Sequence, residues 1–360
     1  MSLDNFDLFD WYLLPIVIFL LNTIAMNYCS IKSDKQYLYK IPNSILSCIS
    51  TLIMIVLAAT RTRIGDTANY INIFKLTPKS FSDFLATIDW SEEWGFKFVN
   101  YFIKTFITES PTIYLFILSL IIIGLIFLTF YRYSQYFELS TLIFILSGSY
   151  IVTLNGIRQS LVAAIFFFFF KLIPEKKYLK YIFMCLILST IHKSALVLIP
   201  LVFILNMRPW GKGTKILCVV GLFMYIFYPI TSKLFAFLIS DTSYSNYTAG
   251  ILTGSSGSAN FIRALVAIVP IILAYIYRKR LYNVQYFNVF LHATILNFIF
   301  VLLATAASWI FARFCIYFSA FSIMLLCWEI CASGKNKKIF YYACIMFYFI
   351  FYFFEIRILF

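Results

Sequence analysis

Four short clusters of polar residues interrupt a chain that is otherwise strongly apolar; they occupy residues 61–70, 90–96, 155–159 and 192–194. Two clusters carry arginine, whose planar guanidinium binds phosphate oxygens two at a time. The second cluster places two carboxylates beside aromatic rings, a composition typical of sugar-binding surfaces. The fourth contains a histidine, the side chain that changes charge near neutral pH. Together these residue types could hold a phosphate group, bind a sugar and move a proton.

Arginine is concentrated on one predicted face of a membrane. Short basic loops alternate with apolar segments, and seventeen of the 29 Lys and Arg fall on one side, which the positive-inside rule makes cytoplasmic. Six of the ten arginines fall on the opposite side: Arg61, Arg63, Arg158, Arg263, Arg313 and Arg357. Arg158 and Arg313 lie inside apolar runs, where a charge costs up to about 2.5–3.5 kcal/mol. An arginine-rich outer face indicates that a lipid phosphate or diphosphate is handled there.

Composition predicts an all-α, polytopic integral membrane protein. Of the 360 residues, 62% are hydrophobic and 12% are charged, a balance that excludes a soluble domain of this size. The net charge of +14 resides in loops between apolar segments, so it does not indicate nucleic-acid binding. Acidic residues precede the first apolar segment, which predicts an uncleaved span with its N-terminus outside.

Twelve apolar segments are predicted to be spans, within an expected total of about 11–14 helices in one transmembrane domain covering residues 1–360. They are residues 11–29, 41–59, 112–131, 138–154, 157–173, 178–191, 194–206, 215–239, 261–277, 285–307, 310–331 and 339–356. The segments 178–191 and 194–206 are short, and both flanking loops are basic. We therefore expect a polar, re-entrant turn near His192, at a depth where irregular backbone must face protein or a wet cavity.

Two long loops, 60–110 and 240–260, are predicted on the outer, periplasmic side. The first contains a weakly amphipathic stretch, 96–107, which predicts an interfacial segment or a short extra helix. The second is rich in Gly and Ser and is either a plain surface loop or a gate over a substrate groove. The run 166–170, five consecutive phenylalanines, is expected to face lipid.

The chemistry that fits these clusters is glycosyl transfer from a polyprenyl diphosphate. Breaking the bond between sugar and phosphate needs positive charge on the leaving diphosphate, and arginine can supply it. A base must also remove the proton of the acceptor hydroxyl. The outer loops contain no Asp-x-Asp pair, so no metal site and no other cofactor are predicted.

The ordered clusters resemble the EpsG-type branch of the Wzy polysaccharide polymerases of bacterial inner membranes. That family shows an R-x-x-G-x-D-x-x-x-Y stretch after an early span, then Glu before Gly-Phe, an Arg-Gln pair, a His-x-Ser-Ala turn and a late Arg in a span. The matching residues here are Arg61 or Arg63 with Gly65, Asp66 and Tyr70, Glu92 or Glu93 with Gly95 and Phe96, Arg158 with Gln159, His192 with Ser194 and Ala195, and Arg313. Here Arg61 lies four residues before Gly65 and Arg63 lies two before it, and the C-terminal third matches least distinctly.

The resemblance implies a C-type glycosyltransferase architecture with its active site on the periplasmic side of the bacterial inner membrane. It also implies the reaction: a growing glycan moves from undecaprenyl diphosphate to the non-reducing end of a lipid-linked repeat unit. Neither metal nor nucleotide sugar is then required, and the anomeric configuration is inverted. The implied partners are the undecaprenyl-diphosphate-linked oligosaccharide and membrane lipids; a chain-length regulator protein is a candidate, and nucleic acid is not.

Roles for individual residues follow as hypotheses. The diphosphate is expected to bind Arg158 and Arg313, helped by Arg61, Arg63 or Arg263. The general base is His192, Asp66 or Glu93, with a slight preference for His192. Neighbouring arginines favour the charged form of Asp66, which makes it a weak base but a good sugar ligand. The expected sugar-binding residues are Glu92, Trp90, Trp94, Tyr70 and Gln159.

Three other functions remain open from sequence. An O-antigen-type ligase uses the same donor with a different acceptor. A lipid-linked oligosaccharide flippase would need arginines in a cavity reachable from both sides of the membrane. A membrane O-acyltransferase would need a catalytic histidine towards its donor, and His292, in the cytoplasmic half of a predicted span, is the residue that favours it.

Overall fold

The computed structural model describes residues 2–34, 37–239, 259–306 and 309–356, and these are predominantly helical. In chain order the helices are α1 (Leu8–Asn27), α2 (Ser44–Ala59), α3 (Thr67–Leu76), α4 (Phe81–Ala86), α5 (Trp94–Phe106), α6 (Pro111–Tyr133), α7 (Phe137–Leu146), α8 (Ser149–Leu154), α9 (Ile157–Phe168), α10 (Tyr178–Ile191), α11 (Leu198–Leu205), α12 (Lys212–Ile226), α13 (Tyr228–Ile239), α14 (Phe261–Ile276), α15 (Arg278–Leu281), α16 (Phe287–Ala306), α17 (Trp309–Cys315), α18 (Ser319–Ala332) and α19 (Lys337–Glu355). Short 3₁₀ turns occupy Leu3–Asn5, Phe170–Leu172, Lys193–Val197 and Gly334–Asn336.

The chain is an all-α, polytopic membrane protein, as predicted. Every predicted span contains helix. Within the described ranges, four helical segments are both long and apolar enough to cross a membrane: Leu8–Asn27, Pro111–Tyr133, Phe287–Ala306 and Gly334–Glu355. Seven shorter apolar helices accompany them. The total number of spans and the C-type architecture stay predictions.

Three predicted spans are interrupted where a continuous helix was expected. The segment 138–154 breaks at Gly148, which takes a left-handed conformation (φ 76°) between α7 and α8. The segment 215–239 breaks at Phe227, just before Pro229, whose ring and missing N–H disfavour continuation of the preceding helix. The segment 310–331 breaks at 316–318, where hydrogen bonds tighten to the i→i+3 pattern, as in the bond from Tyr317 N–H to the Phe314 carbonyl.

A β-hairpin replaces part of the basic loop between the first two predicted spans. Strands β1 (Ser30–Asp34) and β2 (Tyr37–Ile41) pair antiparallel, with Ser30 opposite Ile41. The sequence signal for this hairpin is weak, because Ile31 stands alone between Ser30 and Lys32 and the apolar run of the second strand, residues 37–39, is only three residues long.

The described residues cluster into two compact units, Met1–Leu201 with Gly334–Phe360 and Val202–Ser333. In the first unit α6 packs against α2 and α9, and α1 packs against α7. A buried hydrogen-bond chain joins three of these helices: Ser50 Oγ donates to Asn22 Oδ1 at 2.6 Å, and Asn22 Nδ2 donates to Thr141 Oγ1 at 2.8 Å. In the second unit α16 contacts α12, α14, α17 and α18. The prediction of a single domain over residues 1–360 stays a prediction.

The phenylalanine run 166–170 does not simply face lipid. Phe166, Phe167 and Phe170 are at most 1% exposed, and of the five Phe169 is the one exposed to any large degree. The cause is the position of α9, which contacts both α6 and α10.

The outer loop 60–110 is structured by three helices, α3, α4 and α5. The predicted short extra helix is confirmed as α5, which buries Phe96, Tyr101 and Ile103 and exposes Phe98 and Phe102. The Gly- and Ser-rich loop 240–260 lies almost entirely outside the described residues, which resume at 259.

Candidate active site

The four polar clusters lie at helix ends, and the first unit brings them together. The first cluster leads into α3 through Gly65 (φ 56°), and the second leads into α5 with Glu93 as its N-cap residue. The third enters α9 through Gly156 (φ 61°), and the fourth follows the last residue of α10. Glycine adopts a positive φ at little cost, so at both glycines the backbone can turn sharply into the following helix. The polar side chains next to each glycine then lie at the helix end.

Glu93 is the centre of the arrangement. Its Oε2 accepts a hydrogen bond from Arg158 Nη1 at 2.5 Å. Its Oε1 lies 2.6 Å from His192 Nδ1 and also accepts the backbone N–H of Lys193 at 3.0 Å. We call Glu93, Arg158 and His192 the Glu93 cluster. It joins three of the four sequence clusters directly.

The charge state of Glu93 follows from these contacts. Burial acts to raise the pKa of its carboxyl, but the hydrogen bond from His192, the charge of Arg158 and the Lys193 amide outweigh burial and hold the pKa below its ordinary value. Glu93 is therefore ionised at neutral pH and can only accept hydrogen bonds. Consequently His192 Nδ1 carries the proton that it shares with Glu93.

The backbone at His192 explains how the imidazole is presented. Helix α10 ends because His192 takes an extended conformation (φ −151°, ψ 116°), and a 3₁₀ turn, Lys193–Val197, follows. This is the irregular turn that the sequence predicted near His192; its depth in the membrane stays a prediction. Among the described residues, Glu93 is the hydrogen-bond partner of the ring, so Nε2 is the nitrogen left to take a proton.

Arg158 is held by rings as well as by charge. Its guanidinium carbon lies 5.8 Å from the centroid of the Tyr70 ring and 5.7 Å from that of Phe96. These two rings meet edge to face at 5.7 Å. Such cation–π contacts fix the plane of a guanidinium. The side chain of Arg158 is 37% exposed, compared with 16% for Glu93 and 15% for His192, so it is the member of the cluster most open to a ligand.

The helix that follows Glu93 is packed tightly against α10. A Cβ at Gly95 would lie 2.1 Å from Thr190 Oγ1 and 2.9 Å from the backbone carbonyl carbon of Thr190. Only glycine permits this approach, because no real Cβ contact is that short. The close approach brings Glu93, two residues before Gly95, to His192, two residues after Thr190.

Asn155 connects the first cluster to the third. Its Oδ1 accepts the backbone N–H of Asp66 at 3.2 Å, and its side chain would lie 2.9 Å from a Cβ added at Gly65. The carboxylate of Asp66 is on the surface and makes no cap bond to α3.

Arg61 and Arg63 have different surroundings. Arg61 is 2% exposed; its Nε donates to Thr67 Oγ1 at 3.0 Å, and its Nη1 donates to the Ala58 carbonyl and to Ser119 Oγ. Arg63 is exposed, and its backbone N–H donates to Asp4 Oδ1 at 3.0 Å. Asp4 lies 59 residues before Arg63 in the chain, so the sequence carries no signal that the two are in contact.

The predicted sugar-binding residues differ in their exposure and in their contacts. Tyr70 is buried against Arg158, and Gln159 is buried on α9. Trp90 is 65% exposed, and its ring lies 5.4 Å from that of Trp94. Glu92 is exposed and pairs with Lys97 at 3.0 Å.

The remaining predicted phosphate ligands belong to other parts of the chain. Arg263 lies in the first turn of α14 and Arg313 is an exposed residue of α17, both in the second unit. Arg357 lies outside the described residues. Their roles stay predictions.

Three residues contribute to the site in ways that the sequence did not indicate. Phe96 packs against Arg158, and Asn155 contacts both Gly65 and Asp66. Both belong to the sequence clusters, and Phe96 also matches the Gly-Phe motif, but neither position indicates which residue its side chain contacts. Thr190 was also missed, because its importance comes from the tight contact with Gly95.

The fold and the cluster define a multi-pass membrane protein with a polar centre built from loops and helix ends. A family model described as the EpsG family matches residues 44–358, so the chain belongs to the EpsG family. Membership supports a general role of the polysaccharide-polymerase type. No curated protein and no solved structure gives a significant match to the chain.

Proposed function

We propose that this protein polymerises a polysaccharide by moving a growing glycan from undecaprenyl diphosphate to the non-reducing end of a lipid-linked repeat unit. The observation that carries the proposal is the Glu93 cluster: a carboxylate, an imidazole and a half-exposed arginine held together in a chain of the EpsG family. The cluster is expected at the outer face of the bacterial inner membrane, the side where arginines concentrate in the predicted topology.

His192 is proposed as the general base. A base that is oriented by a third group is the arrangement found in serine hydrolases, where a carboxylate fixes the histidine tautomer. Glu93 does this here, since its ionised carboxylate accepts Nδ1–H and leaves Nε2 as the nitrogen that can take a proton. The acceptor hydroxyl oxygen attacks the anomeric carbon of the donor while its proton passes to Nε2. Glu93 then stabilises the resulting imidazolium.

Arg158 is proposed to hold the departing diphosphate. The bond between the anomeric carbon and the diphosphate oxygen breaks, and its electron pair stays on undecaprenyl diphosphate. Arg158 donates one Nη1–H to Glu93. Because its side chain is partly exposed, other N–H groups of the guanidinium can donate to phosphate oxygens. Arg63, Arg263 and Arg313 are proposed as further phosphate ligands. Arg61 is buried and is hydrogen-bonded to Thr67 and Ser119.

The other two candidate bases are less suited to proton transfer. Both oxygens of Glu93 accept hydrogen bonds and its pKa is lowered, so its carboxylate is a weak base and a good orienting group. Asp66 lies on the surface beside Asn155 and is proposed as a sugar ligand. The exposed ring of Trp90 and the partly buried ring of Trp94 offer an aromatic surface for the acceptor sugar, with Glu92, Tyr70 and Gln159 as the other proposed sugar residues.

Polymerisation by the purified full-length chain tests the proposal. The protein would receive the lipid-diphosphate-linked repeat unit of its own organism, with EDTA and without nucleotide sugar, and the products would be separated by gel electrophoresis. We expect a ladder with steps of one repeat unit. A single transfer to a different acceptor, without a ladder, would instead indicate a ligase. Movement of the lipid across vesicle membranes without new glycosidic bonds would indicate a flippase.

A further inference from the structure

A second polar site lies beside the first cluster. A cavity of about 460 Å³ opens between the end of α2, one face of α3 and the start of α6. Its polar lining includes Arg61, Asn72, Lys75 and Thr112. We call it the Arg61 cavity. A volume of this size accommodates a diphosphate together with part of a sugar.

The charge of the Arg61 cavity is positive. None of its lining residues is acidic. Burial lowers the pKa of Arg61 to about 10, so its guanidinium remains charged at neutral pH. The carboxylate that interacts with Arg61 electrostatically is Asp4, whose oxygens already accept bonds from Thr62 and Arg63. Bonds to Ala58, Thr67 and Ser119 hold the guanidinium rigidly, as in a preformed anion site.

Several polar side chains that line the cavity make no hydrogen bond within the described part of the protein. The side chains of Asn72, Lys75 and Thr112 are exposed, and among the described residues they have no hydrogen-bond partner in the protein, so their polar groups are accessible to a ligand. Thr112 is in the first turn of α6, a helix of 23 residues whose N-cap Ser110 makes no side-chain cap bond. Amides at such a terminus add to the attraction for an anion.

Helix α3 separates this cavity from the Glu93 cluster. Residues 68, 71, 72 and 75 recur with helical spacing and line the cavity, whereas Tyr70 lies on another face and contacts Arg158. The two cationic sites thus flank one helix that is about 10–12 Å across. The proposed reaction involves two lipid diphosphates at once, one on the donor and one on the acceptor.

We infer that the Arg61 cavity binds the diphosphate of the acceptor repeat unit, while Arg158 serves the donor; this inference rests on the proposed function. Asn72→Asp tests it, because the substitution adds one negative charge to the cavity with almost no change of volume. Asn69→Asp is the matched control, since Asn69 is exposed on the same helix and does not line the cavity. Lys75→Gln is an independent second variant that removes a positive charge.

The kinetic experiment uses two substrates with separate roles. The donor is capped at its non-reducing hydroxyl, so it cannot accept; the acceptor is a C-glycosidic phosphonate, so it cannot donate. We expect Asn72→Asp to raise the KM for the acceptor about tenfold or more through like-charge repulsion, with an unchanged donor KM. A raised donor KM with an unchanged acceptor KM would overturn the assignment, as would no change in either.

A binding measurement keeps the inference testable if no transfer occurs. Titration of the full-length protein in detergent with inorganic pyrophosphate, followed by calorimetry, reports binding at the Arg61 cavity and at Arg158 together, and the substitutions in the cavity identify the contribution of the cavity. We expect weaker pyrophosphate binding in Asn72→Asp and Lys75→Gln, but not in Asn69→Asp. This result supports an anion site in the Arg61 cavity even if the wild type polymerises nothing. In that case the proposed function is wrong, and the anion site remains. Equal binding in all four proteins would overturn the cavity as an anion site.

Discussion

The Glu93 carboxylate meets the His192 imidazole across 99 residues of chain, with Oε1 2.6 Å from Nδ1. The same carboxylate binds Arg158, 65 residues away, through its other oxygen. One ionised side chain therefore orients both the proposed base and the proposed phosphate ligand. Substitutions that separate these effects provide the sharpest tests.

Arg158→Lys should lower the rate of transfer at least about tenfold, because a lysine ammonium cannot bind Glu93 and a diphosphate in the fixed geometry of a guanidinium fork. Arg132→Lys is the matched control, since Arg132 also lies over a phenylalanine ring, with its guanidinium carbon 5.4 Å from the Phe168 centroid. Initial rates at equal amounts of folded protein measure the effect. Full activity of Arg158→Lys would show that bidentate binding by Arg158 is not required.

Gly95→Ala should destabilise the protein by about 1–3 kcal/mol and slow transfer, because the added methyl forces α5 away from α10. The shift would separate Glu93 from His192, which depend on this contact for their approach. Gly124→Ala is the control: its new Cβ would meet nothing closer than 4.0 Å, so the substitution should be neutral or slightly stabilising. Thermal unfolding midpoints in detergent compare the two, and equal midpoints would contradict the packing argument.

Acidification should remove stability that Glu93 contributes. The pKa of Glu93 is lowered in the folded state, so its contribution is fully present above the ordinary value of 4.5 and is lost as the pH falls through the lower, folded-state pKa. We expect Glu93→Gln to be less stable than the wild type at pH 7, with the difference shrinking on acidification below 4.5. Glu92→Gln, at an exposed ion pair, should show a much smaller difference. A gap between Glu93→Gln and the wild type that does not change with pH would be inconsistent with this account.

Trp90→Ala should raise the KM for the repeat unit about two- to tenfold with little change in kcat, because an aromatic contact is worth about 0.5–1.5 kcal/mol. The exposed ring of Phe98 on α5 provides the comparison. Phe98→Ala should leave the KM unchanged. If both variants behave alike, the pair Trp90 and Trp94 does not form a sugar-binding surface.

The helices of this chain were largely predictable, and the contacts of the site were not. Apolar runs placed a helix in every predicted span, because a membrane protein must satisfy its backbone within helices. Two local features were not predicted: the helix break at Gly148 within one span, and the hairpin that follows α1. The ordered motifs indicated Glu92 or Glu93, Arg158 and His192, but the pairing of Glu93 with the other two depends on tertiary packing at Gly95 and Thr190, which spacing along the chain does not encode.

The central claim is that His192, oriented by Glu93, takes the acceptor proton during polymerisation. The most direct measurement is the product ladder of His192→Ala beside that of His292→Gln, at equal amounts of folded protein. His292 is the other histidine of the chain and is a structural residue, hydrogen-bonded to Thr214 and to the Asn288 carbonyl. We expect His192→Ala to lose about a hundredfold or more in rate, as removal of a general base does, and His292→Gln to keep its ladder. A ladder from His192→Ala that forms at the wild-type rate would contradict the account.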